Sequence, residues 1–181
     1  MTEMGEMRRW SRVRAAGWGL AVFIILLPLV AMRFTDEVNW TVGDFVFAAL
    51  LIGGTGLLVE LTVRTTRNLA HRAAVGFALA ASFLLVWVNG AVGMIGSEEN
   101  PYNLLFLGVI LVALAGAVVA RFRATGMAIA MLVAGAAQAA IALAGMPADL
   151  RGGILSTGLA GLWLISAALF RSAAQAAARP A

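Results

Sequence analysis

Apolar residues fill this chain in six long runs, and short polar breaks separate them. The runs extend over Ala16–Met32, Gly43–Val63, Ala73–Ile95, Leu104–Ala120, Gly126–Gly145 and Gly152–Phe170. Each comes near the roughly 20 mostly apolar residues, with a range of about 17 to 25, that a helix needs to cross the hydrocarbon core of a bilayer. The breaks "RFTDEVNWT", "RTTRNLAHR", "GSEENPYN", "RFRAT" and "MPADLR" carry the expected turn residues. Pro101 and Pro147 lie in these breaks, where a missing backbone donor does no harm, whereas Pro28 lies inside the first run and predicts a kink there. The predicted fold is all-α: a polytopic membrane protein of six transmembrane helices. One bundle domain spans 1–181, with 1–15 as a basic tail and 172–181 as a short second tail.

Composition agrees. The chain is 62% hydrophobic and 12% charged, with a mean hydropathy of +0.93, against about 45–50% apolar and about 25% charged in soluble domains. The runs recur to the end and leave no stretch of about 50 residues for a separate soluble domain. With no cysteine, disulfides, thiolate metal sites and cysteine nucleophiles are excluded. All 13 basic residues are arginine, which fits a GC-rich coding bias.

The arginines give an orientation. Arg8, Arg9, Arg12, Arg14, Arg64, Arg67, Arg72, Arg121, Arg123, Arg171 and Arg179 fall on one side of the threading, and only Arg33 and Arg151 on the other. The positive-inside rule places the larger group, and both termini, in the cytoplasm. Asp36, Glu37, Asp44, Glu98, Glu99 and Asp149 then lie outside. The pI near 11.3 follows from this distribution, so no nucleic-acid partner is expected. The opening "RRWSRVRAAGWGLAVFIILLPLVA" also has the basic-then-apolar layout of a secretory signal, but Leu29 and Ala31 make a poor small-x-small cleavage site. Residues 44–64 and 103–123 align without gaps, matching Phe47 to Phe106 and Arg64 to Arg123, as a parallel repeat would.

An ionised side chain at the centre of a membrane helix costs about 2.5–3.5 kcal/mol on insertion scales, so polar residues within the runs are the candidates for a site. Glu60 is the one carboxylate well inside a run, and Arg64 four residues on suits a surface ion pair. Asn89 and Gln138 are the amides, and each is a possible partner for the other. Around Asn89, the stretch "VWVNGAVGMIGSEENPYN" places Gly90, Gly93 and Gly96 three apart, a spacing that suits close helix packing. Trp87 lies about 200° around the helix from Asn89, which separates the two faces. The candidate intramembrane site is therefore Asn89, Gln138, Glu60, Trp87, Gly90 and Gly93.

Asn100 is a cap for the fourth helix with Pro101 at its first position, and Thr41 or Asn39 caps the second, where Asp44 favours the helix N-terminus. The "IGGTG" at 52–56 lacks the lysine of a phosphate loop and reads as helix packing. His71 is the single histidine, placed for solvent or headgroup contact, and with no cysteine it leaves no zinc or haem ligand set.

The stretches "MRFTDEVNW", "WVNGAVGMIGSEENPYNLLF" and "ARFRATGMA" resemble small multipass membrane proteins of bacteria to which no activity is assigned. The likeness covers about residues 30 to 145. It implies a multi-pass protein of the bacterial inner, or cytoplasmic, membrane, and no site residues come with it.

Among functions, enzyme chemistry is the weakest expectation, for no catalytic constellation is identifiable; no catalytic residue, metal or cofactor is expected. The leading expectation is a non-enzymatic accessory, scaffold or self-assembling subunit, whose partners are membrane lipids and a second copy or a larger membrane complex. Small residues such as Gly116, Ala117, Gly135, Ala136, Gly158 and Gly161 suit it. The alternative is a transporter or binding protein for a small or lipophilic molecule.

Overall fold

A computed structural model of the chain describes residues 2–178, with side-chain surroundings for Arg12 and for residues 14–178. The helices are α1 (Thr2–Ala31), α2 (Val42–Thr65), α3 (Leu69–Ala91), α4 (Leu104–Val119), α5 (Ala124–Gly145) and α6 (Leu150–Ala178), with a 3₁₀ turn at Pro101–Asn103 leading into α4. There is no strand among the described residues. Each helix carries a stretch long and apolar enough to cross a bilayer. Their outward faces are lined with leucine, valine and isoleucine, including Leu50, Leu111 and Val119, a surface that a water-soluble monomer does not sustain. The chain is an all-helical, multi-pass membrane protein.

Several boundaries depart from the apolar runs. The third run continues to Ile95, yet α3 stops at Ala91, where the Val88 carbonyl accepts from the N–H groups of both Val92 and Gly93 at 3.0 and 3.1 Å. Met94 and Ile95 are apolar because the loop that follows folds them into the core, each about 1% exposed. The segments read as tails continue helices instead: α1 starts at Thr2, and α6 runs through the alanine-rich "SAAQAAA" to Ala178. The side chains of Arg8 and Arg9, part of the basic opening, lie outside the described residues, as does Arg179.

By contacts the chain divides into two compact units, 1–60 and 61–181. In the first, Thr41 and Asp44 open α2 with a reciprocal capping box. The Asp44 carboxylate accepts from the Thr41 N–H at 2.7 Å, and the Thr41 hydroxyl accepts from the Asp44 N–H at 3.4 Å. Trp40 meets Phe45 edge-on at 5.3 Å. The α1–α2 pair closes at Gly56, where an added Cβ would touch the ring of Trp18 at 3.4 Å. Pro28 lies inside α1, where its ring removes the N–H that would bond Ile24.

The second unit is a bundle in which α6 packs on α5 and on α3, and α4 packs on α5. Its centre holds Trp163, Phe106, Phe170 and Leu85, surrounded by small residues such as Ala74, Ala81, Ala130, Ala134 and Ala160. Those alanines set the helix spacing, since lipid supplies no hydrophobic drive and van der Waals fit must hold the helices together. At Gly116 a Cβ would lie 2.6 Å from that of Ala130, and at Gly135 it would lie 3.1 Å from Trp163, so these two glycines are crossing points of α5 with α4 and with α6. Gly53, Gly54, Gly158 and Gly161, expected to serve the same purpose, face no atom within 4 Å.

The two ends of this bundle differ chemically. At one end Arg72 donates to the carbonyls of Thr66 at 2.7 Å and Val63 at 2.6 Å, closing the C-terminus of α2. Asn68 caps α3 there by accepting from the His71 N–H at 3.0 Å. The α4–α5 turn is tight, with Arg121 and Phe122 both left-handed at φ +49° and +58°. Arg123 and Arg171 share this end through the first turn of α5 and the last turns of α6. The opposite end carries asparagines and carboxylates. The aligned segments 44–64 and 103–123 part here: Arg64 is still helical, whereas Arg123 is the N-cap of the next helix.

Candidate functional site

The densest polar network ties down the loop between α3 and α4. Asn103 is its hub, 5% exposed. Its side-chain oxygen accepts from the Ile95 N–H at 2.9 Å, its amide donates to the Ser97 carbonyl at 2.8 Å, and its own carbonyl accepts from the Asn89 amide at 2.9 Å. Asn100 caps the 3₁₀ turn by accepting from the Tyr102 N–H at 3.0 Å, and donates to the Ile95 carbonyl at 3.0 Å. The Tyr102 hydroxyl donates to the Ile141 carbonyl of α5 at 2.7 Å.

Asp149 locks this loop to α6. One carboxylate oxygen accepts from the Gly96 N–H across the loop and the other from the Gly152 N–H in the first turn of α6, both at 2.9 Å. These bonds, Gly152 first and Gly96 next, hold the Asp149 carboxyl below its ordinary value, with Arg151 adding to the effect. Gly152 has a second reason to be glycine, for a Cβ there would lie 2.3 Å from the Met94 carbonyl.

A second network lies deeper, between α5 and α6. Gln138 is 1% exposed; it donates to the Ser156 carbonyl at 2.9 Å and accepts from the Trp163 indole at 2.7 Å. Ser166 joins α6 to α3 by donating to the Ala74 carbonyl at 2.8 Å. Among the described residues, two buried side-chain polar atoms lack a hydrogen-bond partner: the Asn89 side-chain oxygen and the Ser156 hydroxyl.

In the first unit, Glu60 pairs with Arg14 and accepts from the Trp18 indole at 2.9 Å. Arg14 and Trp18 are one turn apart on α1, as are Gly56 and Glu60 on α2, so the indole lies across Gly56 to reach the carboxylate. These are partners that the local reading with Arg64 did not include.

The six candidate residues thus separate. Asn89 and Gln138 bond other groups and not each other. Trp87 stacks on Phe83, one turn earlier on α3, with centroids 5.8 Å apart. Gly90 is exposed in the last turn of α3. Gly93 is not a packing glycine: at φ +78° it turns the chain out of the helix, as Gly96 does again at φ +74°. His71, expected against solvent or headgroups, is half-buried and meets Phe170 edge-on at 5.1 Å.

Asn103, Asp149 and Trp163 were not singled out by sequence. For Asp149 a signal existed, since "PADLRGG" places an aspartate immediately before an apolar run, at a helix N-cap. Among the described residues no group of three His, Asp or Glu side chains could hold a metal ion. No known protein family matches the chain, and no curated protein or solved structure matches it.

Proposed function

We propose that this protein is a non-enzymatic subunit that assembles, through an open glycine face of α6, with a second copy of itself or with a larger membrane complex. One observation carries the reading. Gly158 and Gly161 lie three apart in the interior of α6, and a Cβ at either would meet nothing within 4 Å. Each costs about 0.8–1.0 kcal/mol of helix propensity relative to alanine, and no contact of the kind made at Gly116 or Gly135 offsets it. Glycine on a membrane helix lets another helix approach closely. Meanwhile Gln138, Asn103 and Ser166 are committed to bonds that set helix register, which suits a structural part better than a translocation path.

Native mass spectrometry in a mild detergent tests this. The wild type is expected as an oligomer or a defined complex, and Gly158→Leu/Gly161→Leu as a helical monomer. A wild type of the same mass as the variant, with no partner, removes the proposal.

A second reading, a binding protein for a small polar molecule, is favoured by the unpartnered Asn89 oxygen and Ser156 hydroxyl. A stoichiometric co-purifying small molecule lost in Asn89→Leu would select it.

We further place the protein in a bacterial inner membrane with both termini cytoplasmic. The arginine-rich end of the second unit supports that orientation. Because the chain has no cysteine, single cysteines introduced at Glu98 and at Gln175 test it with a membrane-impermeant thiol reagent: labelling of intact cells at 98 and not at 175 is expected.

A further inference from the structure

A groove of about 650 Å³ lies between the start of α5 and the end of α6, within the roughly 300–1,000 Å³ of ordinary ligand pockets. Its floor and walls are graded. Ile129, Leu132 and Leu164 line the deep part, and Thr125, Arg171 and Gln175 line the part nearest the helix ends. Leu164, Ala168, Arg171 and Gln175 recur at the three- and four-residue spacing of one face of α6.

The grading matches membrane depth. α6 has 29 residues and is therefore about 43 Å long at about 1.5 Å per residue, against a hydrocarbon core of about 30 Å. Counted from Leu150, that thickness is used up near Phe170, which leaves Arg171 and Gln175 at headgroup level and Leu164 among acyl chains.

Charge points the same way. Arg171 is exposed, and among the described residues no carboxylate pairs with it. Arg123, the N-cap of α5, makes no side-chain cap bond, so the first N–H groups of α5, Thr125's included, face this end with the positive pole of the helix. We infer that the groove binds one anionic phospholipid from the surrounding leaflet, with its phosphate at Arg171 and Thr125 and an acyl chain along Ile129, Leu132 and Leu164. The inference is independent of the assembly through Gly158 and Gly161.

The test uses the full chain in mixed micelles holding phosphatidylglycerol and phosphatidylcholine in equal amounts, with bound lipid counted by native mass spectrometry. One arginine at an anionic headgroup gives an expected preference of about fivefold for phosphatidylglycerol. Arg171→Gln brings the ratio near one, and Ala168→Trp, which fills the groove, lowers retention of both lipids. Arg121→Gln, outside the groove, leaves the ratio in place. Equal retention of the two lipids by the wild type overturns the inference. So does a preference that survives Arg171→Gln, undiminished binding in Ala168→Trp, or an equal loss in Arg121→Gln. If Ala168→Trp changes the far-ultraviolet helical signal, Ala168→Leu takes its place.

Discussion

The Trp163 indole donates to the side-chain oxygen of Gln138 at 2.7 Å in the fully buried seam between α5 and α6. Both groups are pinned, because the Gln138 amide also donates to the Ser156 carbonyl. Gln138→Leu leaves an indole N–H without an acceptor in an apolar interior, which costs about 1–3 kcal/mol. Trp163→Phe strands the amide oxygen and adds a packing defect. The double variant Gln138→Leu/Trp163→Phe removes both ends of the bond and is expected to be more stable than the sum of the single losses implies. Thermal unfolding of the four proteins in one detergent measures this coupling, and strict additivity would show the bond to be incidental.

The six helices were legible because a bilayer imposes length and apolarity directly on sequence, and caps such as Asn100 and Thr41 carry local signatures. The partners of polar residues were not. Asn89 bonds a carbonyl 14 residues away, and that contact depends on the path of a loop whose burial of Met94 and Ile95 made it look like more helix. Glu60 has an obvious local neighbour in Arg64, but its ion pair with Arg14 reaches 46 residues back, into a segment that its charge marked as a tail. Spacing along a helix reveals faces, but what faces what is decided by how the helices pair.

The glycines that looked alike in sequence should respond oppositely to substitution. Gly93→Ala places a Cβ 2.4 Å from the Ser97 carbonyl at a residue with φ +78°, and the left-handed conformation alone costs roughly 1–2 kcal/mol for other residues. A loss of at least about 2 kcal/mol is expected once the clash is included. Gly158→Ala meets nothing within 4 Å and should stabilise the isolated chain by about 0.5–1 kcal/mol through helix propensity. Unfolding midpoints of both variants decide the matter: a stabilised Gly93→Ala would contradict the assignment of Gly93 to a turn, and a destabilised Gly158→Ala the openness of that face of α6.

Asp149 makes the loop between α3 and α4 sensitive to acid. Its folded-state carboxyl titrates below the ordinary value of 3.8, chiefly because the Gly152 and Gly96 N–H groups bond the charged form. A depressed pKa contributes stability that is complete above the unfolded value and is lost as pH falls through the folded one. The stability gap between wild type and Asp149→Asn is therefore expected to be constant from neutral pH down to about 4, and to close below it. Unfolding midpoints of the two proteins across that range test this. A gap that persists at the lowest pH would mean that the bonds to Gly96 and Gly152 do not depend on the carboxylate charge.

The Arg14–Glu60 pair is unequal in its surroundings, with side-chain exposures of 50% and 16%. That inequality predicts an order of effects. In Glu60→Gln, the half-exposed Arg14 can turn to water or headgroups while the new amide still accepts from the Trp18 indole, so the cost should stay below about 1 kcal/mol. In Arg14→Gln, a largely buried carboxylate loses a cationic partner and cannot rehydrate as readily, so the loss should be larger. The double variant Arg14→Gln/Glu60→Gln removes the charge that made the single change costly and should recover part of it. Thermal unfolding of the four proteins checks the order. If Glu60→Gln proves the most damaging, the carboxylate serves something beyond holding α1 to α2, and the intramembrane-site reading of Glu60 regains its force.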